Sequence, residues 1–186
     1  MEILIVIGIV AFLPLVFVIA QYNSLVSLRN HIRDSWANID TELKRRYDLI
    51  PNLVATVKGY AVHEREVLER VIELRNRRVA HINEGKAPAD QAEEQELVHE
   101  LNRVLVLAES YPQLKADQHF LKLQAELVNT EDRIQAARRF YNGNVRDYRN
   151  KCETFPSNIV AGLFGFQPAD YFNVESAVRE PPRAAF

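Results

Sequence analysis

Residues Ile3 to Ala20 form an unbroken apolar run without a single charge, Ile-Leu-Ile-Val-Ile-Gly-Ile-Val-Ala-Phe-Leu-Pro-Leu-Val-Phe-Val-Ile-Ala. As a helix the run is ~27 Å long, close to the ~30 Å hydrocarbon core of a bilayer. Everything after it is polar and amphipathic, so the chain divides into a membrane segment and a body made for water. The rival reading is a cleaved secretory signal, for which Val18 and Ala20 supply small residues at a cleavage point. The flanks argue against it. Met1 and Glu2 carry no Lys or Arg, and the run exceeds the roughly 7–15 apolar residues of a signal. A retained anchor over residues 1–21 is expected, touching the lipid bilayer through residues 3–20.

Flanking charge sets the expected orientation. Glu2 precedes the run, and Arg29, Arg33, Lys44, Arg45 and Arg46 follow it. The positive-inside rule then places the N-terminus outside and the body in the cytoplasm. Asp34 and Asp40 dilute the bias, which leaves a periplasmic body as the alternative. Tyr22 stands where an interfacial aromatic would, and Pro14 is tolerable within a membrane helix.

Composition narrows the function classes. The 186 residues allow one ordinary domain beyond the anchor. A net charge of −2 and a pI near 6.2 give no electrostatic case for nucleic acid. Cys152 is the single cysteine, so the chain can close no internal disulfide and no thiolate zinc cluster. Neither GxxxxGK[ST] nor GxGxxG occurs.

The body reads as helix throughout. Leu25, Leu28, Ile32, Trp36, Ile39, Leu43, Tyr47 and Ile50 recur at steps of three and four, and fall on one stripe. No Gly or Pro lies between Leu15 and Ile50, so the anchor can run into this helix without a hinge. Pro51 is the first expected interruption, as a kink or as the first residue of a new helix. A second stretch uses Leu53, Val57, Tyr60, Val67, Val71 and Leu74 and ends near Gly85. Asp90 with Glu93 forms a capping-box-like pair for a third helix through Leu97, Leu101, Val104, Leu105 and Ala108, which stops before Pro112. A fourth, from about Leu114 to Cys152, carries Leu123, Leu127, Ile134, Ala137, Tyr141, Val145 and Tyr148. Asn142-Gly143 resembles a turn signal, yet the periodicity continues on both sides. The helix is therefore kept whole at a cost of ~1 kcal/mol for Gly143.

The expected fold is all-α: an N-terminal transmembrane helix continuous with an antiparallel up-and-down four-helix bundle over residues 22–153. If Pro51 and Pro112 only kink their helices, the alternative is a long kinked helical hairpin. Residues 154–186 form a tail rich in aromatics, Gly and Pro, from Phe155 through Phe164, Phe166, Tyr171 and Phe172. Its apolar side chains either pack on the flank of the bundle, mediate self-association, or touch the membrane surface. The end from Arg179 to Phe186 reads as poorly ordered on its own.

The motifs that could carry catalysis are incomplete. His63-Glu64 and His99-Glu100 begin like HExxH, but Val67 and Arg103 stand where the second histidine belongs. Glu96 and His99 match half of a di-iron pair, and no second pair exists, so a solvated His99 is the default. No nucleophile elbow frames a serine. Cys152 falls near a helix C-terminus, where the dipole raises its pKa. Arg77-Arg78 and Arg138-Arg139 read as solvated faces, with anionic headgroups or a partner as the sharper alternative. No catalytic, cofactor-binding or metal-binding residue is expected, and neither a cofactor nor a small-molecule substrate is implied.

Two blocks carry a family likeness. Tyr22-Asn23-Ser24-Leu25-Val26, Arg29-Asn30, Trp36-Ala37-Asn38-Ile39-Asp40, Leu43-Lys44-Arg45-Arg46 and Asp48-Leu49-Ile50-Pro51-Asn52-Leu53-Val54 form the first, with Lys58-Gly59-Tyr60-Ala61 and His63-Glu64. Phe140-Tyr141-Asn142, Val145-Arg146, Tyr148, Phe155-Pro156-Ser157-Asn158 and Phe164-Gly165-Phe166 form the second. Together they resemble the LemA family over nearly the whole chain, with Gly143 the one departure, inside a helix that the family pattern continues. The resemblance implies a bacterial single-pass inner-membrane protein with an up-and-down helical bundle and no established enzymatic activity. One relative takes part in making magnetosome membranes, which implies a role in shaping membrane. The expectation is a homo-oligomeric scaffold that organises the bilayer. The alternative is an adaptor for another membrane protein, such as a protease or signalling protein.

Overall fold

The computed structural model describes residues 1–61, 63–83 and 91–172. Among them are six helices and no strand: α1 Glu2–Lys58, α2 Arg65–Asn83, α3 Gln91–Ala108, α4 Pro112–Lys115, α5 Gln118–Glu153 and α6 Ser157–Leu163. The fold is all-α. The expected Gly85 terminus, the Asp90 cap and the end from Arg179 to Phe186 lie outside the described residues. The chain divides into two compact units, Asp40–Gln135 and Met1–Ile39 with Ala136–Phe186.

The unit Asp40–Gln135 is the four-helix bundle. Leu43, Ile50, Leu53 and Val57 from α1 meet Leu68, Val71 and Leu74 from α2, Leu97, Leu101 and Val104 from α3, and Phe120, Leu127 and Ile134 from α5. All are buried. Ion pairs fix the directions. Glu42 faces Arg133 and Arg46 faces Glu131, so numbers rise on α1 as they fall on α5. Arg70 contacts Glu96 while Arg78 contacts Glu93, which makes α2 and α3 antiparallel as well.

Pro51 does not open a new helix, which overturns one of the two outcomes expected of it. The helix passes through it and ends at Lys58, and α2 starts at Arg65. Leu53 and Val57 therefore belong to α1 and not to a second helix. The physical reason is one hydrogen bond. Proline has no N–H, so the carbonyl of Tyr47 loses its partner one turn on. Arg75 on α2 supplies the missing donor, its Nε lying 3.0 Å from that oxygen. Tyr60, expected on an apolar face, is 38% exposed and donates through its hydroxyl to Asp117 at 2.9 Å.

The expected fourth helix also divides. Pro112 opens the short α4, whose Leu114 is buried, and α5 starts afresh at Gln118. Asp117 explains the restart. Its Oδ1 accepts from the backbone N–H of His119 at 2.8 Å and of Phe120 at 3.0 Å, satisfying two donors of the first turn. From there α5 runs unbroken through Gly143 to Glu153.

In the unit Met1–Ile39 with Ala136–Phe186, α1 pairs with the end of α5. Leu25, Ile32 and Ile39 are buried on one helix, and Tyr141, Val145, Tyr148 and Cys152 on the other. Asn144 donates to the carbonyl of His31 at 3.2 Å. Along the apolar run of α1, Phe12, Leu13, Leu15, Val16 and Ile19 stay exposed. The helix is long and apolar enough to cross a membrane, and only 6% of its most apolar stretch is buried. A core helix of a soluble protein would show the opposite.

The tail holds a helix that sequence periodicity missed. In α6, Val160 and Ala161 face inward. The helix ends in a Schellman turn. Gly165 adopts φ 70°, Phe166 N–H donates to the Ala161 carbonyl at 2.9 Å, and Gly165 N–H donates to Gly162 at 3.3 Å. Beyond it the chain forms neither helix nor strand through Phe172.

Candidate functional site

Two constellations stand out, one in each unit. In the bundle, Arg46 and Arg78 are each 2% exposed and Glu94 is 6% exposed. Glu94 lies between them. Its Oε2 accepts from Arg78 Nε at 3.0 Å and from the Tyr47 hydroxyl at 2.7 Å, while Arg46 contacts its other oxygen. Arg46 reaches on to Glu131 at 2.7 Å, and Arg78 to Glu93 at 3.4 Å. Four helices thus meet at one polar knot. Arg78 corrects the expectation of a solvated Arg77-Arg78 face. Such a network fixes helix register by penalising any arrangement that strands a buried charge.

The second constellation is aromatic and lies where α1 leaves its apolar run. Tyr22 packs edge-on against Phe164 at 4.9 Å and Phe166 at 5.6 Å between ring centres. The Arg29 guanidinium lies over Phe166 at 5.3 Å. Further along, Trp36 meets Tyr141 at 5.2 Å and Phe172 at 5.8 Å, with Arg138 over Phe172 at 4.8 Å. Arg138 is thus part of the tail's seat. Asn142 holds Phe172 by its backbone, accepting its N–H at 2.8 Å and donating to its carbonyl at 2.9 Å. Asn142 lies within a continuous helix, as its flanking periodicity implies, and clamps the tail from there. Tyr141 adds a hydrogen bond to the Asp170 carbonyl at 3.1 Å.

His63 and His99 are exposed. Glu96 is taken up by Arg70 and Glu100 by Arg103. Among the described residues, no three His, Cys, Asp or Glu side chains gather as a metal group. Cys152 is a buried free thiol, and burial is the main cause of its raised pKa. Its neighbour Tyr148 is pushed up to about 12, chiefly by burial and then by the adjacent Cys152.

A long exposed apolar helix, a packed helical body and an aromatic cluster beside the end of the apolar run define an all-helical membrane-associated protein. The chain belongs to the LemA family, whose family model matches residues 35–186. It is 27% identical to Protein LemA of Metamycoplasma hominis, over 84% of this chain and 68% of that protein. It is 24% identical to Magnetosome protein MamQ 2 of Paramagnetospirillum magneticum, over 95% of this chain and 72% of the relative. Against Magnetosome protein MamQ of Magnetospirillum gryphiswaldense the identity is 23%, with the same two coverages.

Proposed function

We propose that this protein is a membrane-anchored, non-enzymatic helical scaffold that self-assembles at the bacterial inner membrane and organises or remodels the bilayer. Its N-terminus lies outside and its body in the cytoplasm. The observation that carries this reading is the absence of any break in α1 between its apolar run and the part that packs against α5. Contacts between neighbouring copies can then set the tilt of their anchors, and hence local curvature. Exposed aliphatic residues on the bundle, Val106 on α3 and Leu121 and Val128 on α5, offer surface for such contacts. Membership of a family not known for enzymes, and relatives named as magnetosome proteins, support the same reading. Light scattering of the full chain in detergent tests it. Oligomers that grow with protein concentration are expected, and a monomer across the whole range overturns the scaffold.

The second reading is an adaptor for another membrane protein. A groove of about 780 Å³ runs between α1 and α2. Val54, Ala61, Leu68 and Ile72 line it, and Lys58, Arg65, Glu69 and Glu73 rim it. An apolar floor with a charged rim suits an amphipathic partner helix. Crosslinking in cells from Lys58 separates the two readings. Capture of a different membrane protein favours the adaptor, and capture of the same chain favours the scaffold.

A further inference from the structure

Within the unit that holds the apolar run, α6 leaves one face uncovered. Val160 and Ala161 are 2% exposed on the inside, whereas Phe155, Ile159 and Leu163 are 75%, 61% and 73% exposed on the outside. Ile159 and Leu163 lie about one turn apart on α6, Phe155 stands in the turn before the helix, and Phe164, 49% exposed, follows its last residue. Four bulky apolar side chains this open to water are unusual for a monomer surface. Their place in the fold says what covers them.

Tyr22 lies two residues past Ala20, about 3 Å beyond the end of the apolar run along a helix. The ring of Phe164 is centred 4.9 Å from that of Tyr22. Phe164 is therefore within about 8 Å of the hydrocarbon edge if α1 spans the membrane. The headgroup layer is itself about 5–8 Å deep on each side. The α6 patch thus lies at the depth where aromatic belts and interfacial helices reside. Cations accompany it. Arg29 stacks on Phe166, Arg149 stacks on Tyr171 at 5.4 Å while pairing with Glu153 at 3.5 Å, and Lys151 sits half-exposed just before α6. Side chains of this kind can reach lipid phosphates while their rings or stems rest on apolar surface.

We infer that the exposed apolar patch at α6, made of Ile159 and Leu163 on the helix with Phe155 before it and Phe164 after it, embeds in the headgroup layer beside the anchor and gives the protein a second, shallow hold on the bilayer. A single helix is free to tilt and swivel. A helix with an interfacial foot beside it is fixed about its own axis. The inference rests on membrane insertion of α1 and does not require self-assembly.

Full-length protein in vesicles of phosphatidylcholine and phosphatidylglycerol tests it. Cys152→Ser supplies the background, and an environment-sensitive fluorophore is attached at Ile159→Cys, at Leu13→Cys or at Val128→Cys. Lipids brominated high on the acyl chain should quench the label at position 159 about twofold, as for an interfacial residue, and leave position 128 unchanged. Lipids brominated near the chain ends should quench position 13. Quenching at 13 without quenching at 159 overturns the inference while α1 remains inserted. Absence of quenching at both overturns insertion and inference together. A label at 159 that is shielded from lipid and water alike, to a degree that grows with protein density, overturns the inference in favour of a second copy covering the face. Adding Leu163→Asp should abolish quenching at 159 while helicity and melting temperature in detergent hold. Persistent quenching in that folded variant also overturns the inference.

Discussion

Arg78 on α2 and Glu94 on α3 form an ion pair with Nε and Oε2 3.0 Å apart, and neither side chain is more than one-tenth exposed. Removing Glu94 leaves Arg46 and Arg78 buried without their shared carboxylate. Glu94→Ala should therefore destabilise the bundle by about 3–5 kcal/mol. Joint replacement of Arg46, Arg78 and Glu94 by Met or Leu should be neutral or stabilising by about 1–4 kcal/mol, since three charges no longer need desolvation. Urea unfolding of the full chain in detergent, followed by circular dichroism, measures both.

Gly162 and Gly165 should respond to alanine with opposite signs. Gly165 holds φ 70°, so Gly165→Ala should cost about 1–2 kcal/mol although a Cβ meets nothing within 4 Å there. Gly162 is helical and equally open, so Gly162→Ala should stabilise α6 by up to about 1 kcal/mol. Paired thermal melts of the two variants decide the matter.

Acid should weaken the start of α5. Asp117 accepts from the backbone N–H of Phe120, from the Tyr60 hydroxyl and from the backbone N–H of His119, and these bonds lower its pKa. A carboxylate lowered in the folded state contributes stability above its unfolded pKa, near 4, and loses it as pH falls through the folded value. Melting temperature should therefore drop below about pH 4, and Asp117→Ala should flatten that part of the curve. Tyr60→Phe should flatten it less, because the two backbone bonds remain.

Trp36 makes the seating of the tail visible. Phe172→Ala removes one of the two rings against it, which should shift its emission to longer wavelength and cost about 3 kcal/mol. Asn142→Ala should produce the same shift at a cost of about 1–3 kcal/mol, since the Phe172 N–H and carbonyl lose their clamp. An unchanged spectrum in both variants would show that the tail is not held against α1 in solution.

Cys152 should react slowly. Its thiol is buried and its pKa raised, so maleimide labelling of native protein at neutral pH should lag that of urea-unfolded protein by at least about tenfold.

Repeating apolar side chains were the legible part. Leu25, Ile32, Ile39, Leu43, Tyr47 and Ile50 lie on the stripe their spacing implies and are buried. Helix boundaries were legible only where local chemistry decides them, as before Pro112. Pro51 misled because its cost is offset by Arg75, a residue on another helix. The cap at Asp117 was readable in principle, being an acid immediately before a helical stretch, but the strong periodicity on both sides concealed it. The knot of Arg46, Arg78 and Glu94 was illegible for a deeper reason. Charged residues on an amphipathic helix are ordinarily solvated, and only the pairing of α1, α2, α3 and α5 makes these three each other's surroundings. The role of Asn142 was hidden likewise, because its partner Phe172 lies far along the chain.

The hydrogen bond from Arg75 to the Tyr47 carbonyl means that the length of α1 is a tertiary property. One rung of its ladder belongs to α2. A peptide copied from α1 alone has an open carbonyl at Tyr47, and its helix content there must fall short of the value in the whole chain. The helix reaches Lys58 only in company.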